Sequence, residues 1–144
     1  MGIKKIIPVL AVLPMLAGAA MAQDAAKGEA DFKRCKACHA IIADDGTDIQ
    51  KGGKTGPNLY GIVGRQVASV EDFRYGASIA AVGETGMVWD EENLAAYITD
   101  PKAWLAEVLD DKGVKTKMTY KHRKGAEDMA AYLASVSPEV PAES

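Results

Sequence analysis

The segment Cys35-Lys36-Ala37-Cys38-His39 constrains this chain more than any other, because it contains both cysteines of the 144 residues. In the C-x-x-C-H pattern, each thiol adds to one vinyl group of a porphyrin and the adjacent imidazole binds its iron. Two intervening residues place the two sulfurs about one helical turn apart. The motif therefore predicts one covalently attached haem, held through Cys35 and Cys38, with His39 as the proximal axial ligand.

Three other interpretations of this motif leave part of the sequence unexplained. A disulfide between Cys35 and Cys38 would close a very small loop and give His39 no role. A thioredoxin-like redox site belongs near a strand–helix–strand unit, and the sequence shows no such pattern. A zinc site needs more ligands than the motif provides, and only His122 remains besides carboxylates.

The N-terminus has the pattern of a secretory signal peptide. Lys4 and Lys5 precede an apolar run, residues 6–20, which ends at the small-residue site Ala20-Met21-Ala22. The run is shorter than the roughly 20 residues of a membrane-spanning helix and contains two prolines. We expect cleavage after Ala22, export to the periplasm and no stable membrane insertion. The predicted signal peptide, domain and flexible tail are residues 1–22, 23–136 and 137–144.

The rest of the sequence predicts an all-α fold. Asp24, Asp90 and Asp100 are each placed to cap a helix, Pro101 follows at a first helical position, and residues 126–136 form a fourth helical pattern. Clean period-two alternation is absent, so we expect few or no strands. Short helices, Gly-rich loops and an aromatic content of only 6% indicate that the haem fills the centre of the domain.

A haem iron bound by His39 has a second axial position, for which four side chains are candidates: Met87, Met118, Met129 and His122. Met129 falls in an apolar helical stripe and Met87 lies beside other apolar residues, so both are expected to be packing residues. Met118 lies in a basic, non-periodic stretch that offers it no packing role. His122 is its rival by chemistry, although a histidine among lysines is expected to be solvated.

Several blocks of sequence extend the signal beyond the haem motif. They are Cys35 to His39, Lys54 to Gly61 with Gly64-Arg65, Phe73-Arg74-Tyr75, Trp89, and Thr116-Lys117-Met118. In order and spacing these blocks resemble the class I cytochromes c, specifically the long bacterial cytochrome c2 type, and are similar to mitochondrial cytochrome c. The resemblance covers nearly all of residues 24–136. It implies the class I cytochrome c fold around one haem c, with Met118 as the second axial ligand.

The resemblance also implies supporting roles in the haem pocket. The Pro57 carbonyl is expected to accept a hydrogen bond from His39 Nδ1, and the Tyr97 hydroxyl to donate to the Met118 sulfur. Three further residues are expected to hold the haem propionates: Arg65, Tyr75 and Trp89. One departure from the family pattern is Tyr120, which stands where phenylalanine is common.

The charge distribution is uneven. The formal net charge of −3 disfavours a nucleic-acid binder, and loss of Lys4 and Lys5 with the signal peptide makes it −5. Residues 112–124 nevertheless contain six basic residues and no acidic ones, whereas acids concentrate in residues 44–48, 71–72 and 90–92. By resemblance, acidic faces of membrane redox complexes are expected to dock on Arg34, Lys54, Lys102, Lys117, Lys121 and Lys124.

The resemblance implies a one-electron carrier rather than an enzyme. The expected protein is a soluble periplasmic monomer that receives electrons from a quinol–cytochrome c oxidoreductase. The acceptors are terminal oxidases, other periplasmic reductases or a photosynthetic reaction centre. Two alternatives are a peroxidase-like haem enzyme and a haem-based ligand sensor. Both need an open iron position, which Met118 would close.

Overall fold

Five helices provide most of the regular structure in residues 23–138, the part of the chain that the computed structural model describes. They are α1 (Ala25–Asp31), α2 (Ala77–Glu84), α3 (Glu91–Thr99), α4 (Pro101–Val108) and α5 (Ala126–Ser135). A single 3-10 turn, Phe32–Arg34, continues α1 towards the haem motif. The predicted signal peptide and cleavage site, and tail residues 139–144, lie outside the described residues.

Side-chain caps explain why three helices begin where the sequence predicts. Asp24 caps α1, and Asp100 caps α4, in which Pro101 occupies the first turn. The Asp90 carboxylate accepts a hydrogen bond from the Asn93 N–H at 2.7 Å, and the Asn93 side-chain oxygen accepts one from the Asp90 N–H at 3.0 Å. Such caps satisfy N–H groups that the first helical turn leaves free. The predicted helix starts are therefore confirmed.

The helix α2 was not predicted, because the usual starting signals are missing. It begins after Gly76, which has no capping side chain, and it contains Gly83. A Cβ at Gly83 would collide with the Val67 carbonyl, so close packing requires the glycine that weakens the helical pattern.

The only strands within residues 23–138 form one small hairpin, in agreement with the prediction of few strands. The strands β1 (Ile41–Ile42) and β2 (Asp48–Gln50) pair antiparallel, with Ile41 opposite Gln50 and an irregularity after it. The acid-rich segment 44–48 forms the connecting turn and the start of β2. It is largely exposed and lies outside the haem crevice described below.

The core is built where α1 and α3 pack on α5. Phe32, just after α1, meets Tyr132 of α5 edge to face, with ring centroids 5.9 Å apart. A Cβ at Gly28 would collide with the Asp128 carbonyl, so this glycine permits the close crossing of the helices. Burial of a large apolar side chain such as Phe32 stabilises the fold by about 1.5–3 kcal/mol. This crossing forms a rigid base for the haem motif that follows α1.

Ser137, which follows α5, is hydrogen-bonded to that helix. The Ser137 N–H donates to the Ala134 carbonyl at 3.1 Å and its hydroxyl donates to the Leu133 carbonyl at 2.8 Å. The first residue of the predicted flexible tail is therefore held against α5.

No helix within residues 23–138 combines the length and apolar character that a bilayer crossing requires.

Candidate haem crevice

The haem motif forms a helical turn directly after the 3-10 turn. The Cys38 and His39 N–H groups both donate to the Cys35 carbonyl, at 3.1 and 2.9 Å. Both cysteines are free thiols, so the structure contains no disulfide here. Burial raises the pKa of the Cys35 thiol to about 11, whereas Cys38 is exposed. The turn presents the two thiols and the imidazole along one short segment.

Hydrogen bonding orients the His39 imidazole. Its Nδ1 lies 2.8 Å from the Pro57 carbonyl. A carbonyl only accepts, so Nδ1 is the donor and Nε2 keeps its lone pair for a metal. Burial lowers the pKa of His39, opposed by the bond to Pro57, and the neutral, iron-binding form is therefore favoured. A Cβ at Gly56 would overlap the imidazole ring, so this position must be glycine for the ring to fit.

Side-chain contacts hold the segment that contains Met118. The Met118 N–H donates to Thr116 Oγ1 at 3.1 Å, and the same hydroxyl donates to the Met118 carbonyl at 3.0 Å. The Lys115 N–H donates to Ser78 Oγ in α2 at 3.0 Å. These bonds shape an irregular loop that places the half-buried Met118 beside the crevice.

Two adjoining cavities form a single crevice between these segments. The inner cavity has a volume of about 720 Å³, and the outer cavity, which forms the mouth, has about 1,100 Å³, both including space open to solvent. Cys35, His39 and Met118 line both cavities, and Cys38 lines the mouth. All five predicted support residues line the inner cavity: Pro57, Arg65, Tyr75, Trp89 and Tyr97. The structure therefore brings the predicted site residues together around one space.

The donors around this space fit a haem. Two thiols, an imidazole and a thioether lie on its walls, which are the groups that attach a c-type haem and bind its iron. Within residues 23–138, no three His, Cys, Asp or Glu side chains cluster as a metal site. The zinc interpretation of the motif therefore lacks a ligand set.

A half-buried positive charge, that of Arg65, also lies in the crevice wall. Its guanidinium donates to the Tyr60 and Asn58 carbonyls at 3.0 and 3.1 Å. Burial lowers its pKa, partly offset by Tyr75. In the described part of the chain, no carboxylate forms an ion pair with it. A partly buried cation is costly without an anionic partner, which fits the expected contact with a haem propionate.

The aromatic support residues make contacts that the sequence did not predict in detail. The Tyr75 hydroxyl accepts from the Val70 N–H at 3.2 Å. Trp89 stacks on Trp104, with centroids 5.3 Å apart. Burial raises the pKa of Tyr97 to about 12, opposed by a hydrogen bond with Thr116. Within residues 23–138, the hydrogen bonds of the structure include none from Tyr97 to the Met118 sulfur, so that bond stays a prediction.

The expectation that His122 is solvated is wrong. Only 3% of His122 is exposed, and it lines the inner cavity. Its backbone N–H donates to the Ile98 carbonyl of α3 at 2.7 Å. Packing against α3 buries it despite its basic sequence neighbours. A signal was present in the sequence, because Met118, Tyr120 and His122 alternate with polar residues and all three line the inner cavity.

The other two methionine candidates lie where the sequence predicts. Met129 is buried in the core, where it also lines the inner cavity. Met87 packs partly buried against the core and lies outside both cavities. Met118 is therefore the methionine that lines both the inner cavity and its mouth.

Three residues, Arg34, Lys115 and Lys117, form a basic rim at the mouth of the crevice. The predicted docking residues are all exposed: Arg34, Lys54, Lys102, Lys117, Lys121 and Lys124. Of these six, Arg34 and Lys117 line the mouth, whereas Lys54, Lys102, Lys121 and Lys124 line neither cavity. The Lys117 ammonium donates to the Arg74 carbonyl at 2.9 Å. Lys121 forms an ion pair with Asp100 at 2.7 Å, which reduces its local positive field.

Comparison with known proteins gives high similarity along most of the chain. This chain is 58% identical over 122 residues to cytochrome c2 of Rhodobacter capsulatus, and the match covers 85% of this chain and 89% of that protein. It is 56% identical over 131 residues to cytochrome c-550 of Paracoccus denitrificans, covering 90% and 84%. No protein-family model matches the chain.

Solved structures give the same result for the fold. The X-ray structure of ferric cytochrome c-550 from Paracoccus versutus has a TM-score of 0.79 and 58% identity, covering 81% of this chain and 100% of that one. The cytochrome c2 structure from Rhodobacter capsulatus has a TM-score of 0.77 and 59% identity, covering 78% and 97%. Since these relatives are electron carriers, the enzyme alternative is not supported. The chain thus belongs to the class I c-type cytochromes of the c2 type, electron carriers with one covalently attached haem c.

Proposed function

We propose that this chain is a monomeric periplasmic one-electron carrier between membrane redox complexes. A quinol–cytochrome c oxidoreductase is the proposed donor, and terminal oxidases, other periplasmic reductases or a photosynthetic reaction centre are the proposed acceptors. The basic rim of an otherwise apolar crevice is the observation that carries this proposal. In this proposal the signal peptide directs export and is cleaved after Ala22.

Different residues of the crevice are proposed to hold different parts of the haem. Cys35 and Cys38 would attach it through thioethers, and His39 and Met118 would bind its iron. When bound, the haem supplies reversible one-electron chemistry between ferrous and ferric iron. Three side chains of the inner cavity would hold its propionates: Arg65, Tyr75 and Trp89. If His39 and Met118 both bind the iron, no position remains for the external ligand that a ligand sensor would need.

The walls of the crevice determine where electrons enter and leave. The inner cavity is lined mainly by buried apolar and aromatic side chains, which exclude water and limit the reorganisation that accompanies a change of charge. The mouth is the side of the crevice on which the basic rim lies. Electron transfer therefore occurs at the mouth, against a partner docked there.

Charge complementarity selects that partner. The chain is acidic overall, yet its mouth is basic, so the molecule has a strong dipole that orients it towards an acidic surface. Such steering raises association rates by about 10- to 1,000-fold, and salt weakens it. Arg34 and Lys117, on the mouth itself, are expected to contribute more than Lys121, whose charge is paired with Asp100.

Neighbouring residues allow a matched test of this face. Arg34 lines the mouth, whereas the adjacent exposed Lys33 does not. The test compares Arg34→Glu with Lys33→Glu, which change the net charge equally. Oxidation of the reduced holoproteins by membranes containing cytochrome oxidase is followed by stopped flow over a range of ionic strength.

We expect Arg34→Glu to slow the reaction roughly tenfold at low ionic strength and to flatten its salt dependence. Lys33→Glu is expected to have a much smaller effect. Equal slowing by the two variants, or a wild-type rate that does not fall with salt, would contradict docking at the mouth.

A further inference from the structure

Tyr120 stands at the transition from the inner cavity to the mouth of the crevice. It lines both cavities and is 40% exposed. It follows Met118 by two residues and belongs to the same irregular loop. Its ring is thus placed between the haem site and the solvent, and the loop backbone alone leaves the side-chain torsions of such a half-exposed ring free to change.

One polar contact restrains this ring from behind. The Tyr120 hydroxyl lies 3.2 Å from His122 Nδ1, with ring centroids 6.0 Å apart. His122 is itself held in place, because it is 3% exposed and its backbone N–H donates to the Ile98 carbonyl of α3. The exposed tyrosine is therefore bonded to a buried imidazole, and the backbone of that histidine is bonded to α3.

Packing by itself does not account for an imidazole in this place. His122 Nε2 is fully buried and has no hydrogen-bond partner in the described part of the chain. Burying a polar atom without a partner is unfavourable, so an apolar side chain would fill the same space at lower cost. The bond from Nδ1 to Tyr120 is the one side-chain hydrogen bond that the structure records for this imidazole.

We propose that His122 is a positioning residue that holds the Tyr120 ring across the mouth of the haem crevice. The inference rests on the proposed electron-transfer function, because the ring then controls access to the haem edge. With the bond intact, the phenol limits the approach of water and small molecules. Without it, the ring turns outward, water enters, and the more charged ferric state gains stability, which lowers the reduction potential.

The test is a double-mutant cycle on the holoprotein. It compares His122→Leu in the wild-type background with His122→Leu in a Tyr120→Phe background, where no hydroxyl remains to be held. The two readouts are the midpoint potential and the rate at which neutral photoreduced lumiflavin reduces the ferric protein. Neither readout needs a protein partner, so the cycle can fail while docking at the basic rim holds.

We expect His122→Leu to raise the flavin rate about two- to tenfold, the equilibrium factor of one net hydrogen bond, and to lower the potential. In the Tyr120→Phe background the same substitution is expected to change neither readout. His122→Gln, which keeps a polar group in the position, should restore values near those of the wild type. Tyr132→Phe, which removes a tyrosine hydroxyl bonded to Gln50 outside the crevice, is the control and should leave both readouts unchanged.

Thermal unfolding of each variant shows that the compared proteins are folded. An equal effect of His122→Leu in both backgrounds would overturn the proposal, because His122 would then act through packing alone. No effect in the wild-type background would overturn it as well. If His122→Leu does not fold, His122→Gln against His122→Ala in the two backgrounds makes the same comparison.

Discussion

The two sides of the haem crevice are built in different ways. The His39 wall, residues 35–57, is held by backbone hydrogen bonds, such as Gly56 N–H to the Cys38 carbonyl at 2.8 Å, and by close glycine packing. The Met118 wall, residues 115–122, is held mainly through side chains, including the Thr116 hydroxyl and the Lys121–Asp100 ion pair. The first wall is therefore preorganised by chain geometry, whereas the second depends on separate contacts that can be removed singly.

The largest effect on this contrast is expected when the His39 wall is overpacked. Gly56→Ala places a methyl group on the imidazole and should destabilise the holoprotein by about 1–3 kcal/mol, as overpacking of a rigid site does. It should also reduce the yield of correctly attached haem. Denaturant unfolding and the haem-to-protein absorbance ratio measure the two effects.

The control for Gly56→Ala is Gly76→Ala. A Cβ at Gly76 would meet the Lys117 side chain at an ordinary 3.6 Å, so only the preference of a helix N-cap for glycine over alanine opposes it. If both variants lose the same stability, close packing of glycine against the imidazole does not distinguish the His39 wall.

Exchange of the ligand on the Met118 wall should change the potential while leaving the fold largely intact. Met118→His replaces a thioether, which favours ferrous iron. The potential is expected to fall by about 0.2 V, a fraction of the roughly 0.8 V range set by haem axial ligands. Redox titration measures the fall, and the far-red sulfur–iron band should disappear.

Met87→His is the matched control for this exchange, because Met87 lies outside both cavities. It should retain the far-red band and the wild-type potential. An unchanged potential in Met118→His would refute Met118 as the axial ligand.

Loss of one side-chain hydroxyl should loosen the Met118 wall alone. Thr116→Val removes both bonds between the Thr116 hydroxyl and the Met118 backbone and should cost about 1–2 kcal/mol, as the net value of two hydrogen bonds. The far-red band should be lost at lower denaturant concentration than global unfolding. Thr119→Val, at the exposed neighbour, should preserve both midpoints; equal losses would show that the hydroxyl bonds are not what holds the wall.

The smallest effect is expected at the ion pair on the edge of the Met118 wall. Two hydrogen bonds lower the pKa of Asp100 from its ordinary 3.8. The larger effect comes from the Lys121 side chain and the smaller one from the Ala103 N–H. A lowered carboxyl pKa contributes stability above the unfolded-state value, and this stability is lost as pH falls through the folded-state value. Lys121→Gln should therefore move the acid loss of the far-red band to slightly higher pH.

Lys124→Gln is the control in the same basic segment, because Lys124 forms no ion pair in the described part of the chain. Acid titration at low and high salt compares the two variants. A shift of equal size in both would assign the effect to net charge rather than to the pair with Asp100.

Local features of the chain were predictable because local physics produces them. The spacing of Cys35, Cys38 and His39 requires only one helical turn, and capping by Asp24, Asp90 or Asp100 acts within three or four residues. Proximity of Met118 to His39 was implied by resemblance to a family. The helix α2 was missed because the packing of Gly83 on Val67 is a contact between segments distant in sequence.

The sequence by itself determined the haem attachment motif, the starts of three helices and the uneven charge, since each depends on neighbouring residues. Only the tertiary structure decided that His122 is buried and bonded to Tyr120, and that Lys121 is paired with Asp100. Exposure of a side chain depends on what the rest of the chain packs against it. A basic sequence context therefore could not reveal that α3 covers His122, nor that the predicted docking residues differ in their freedom to meet a partner.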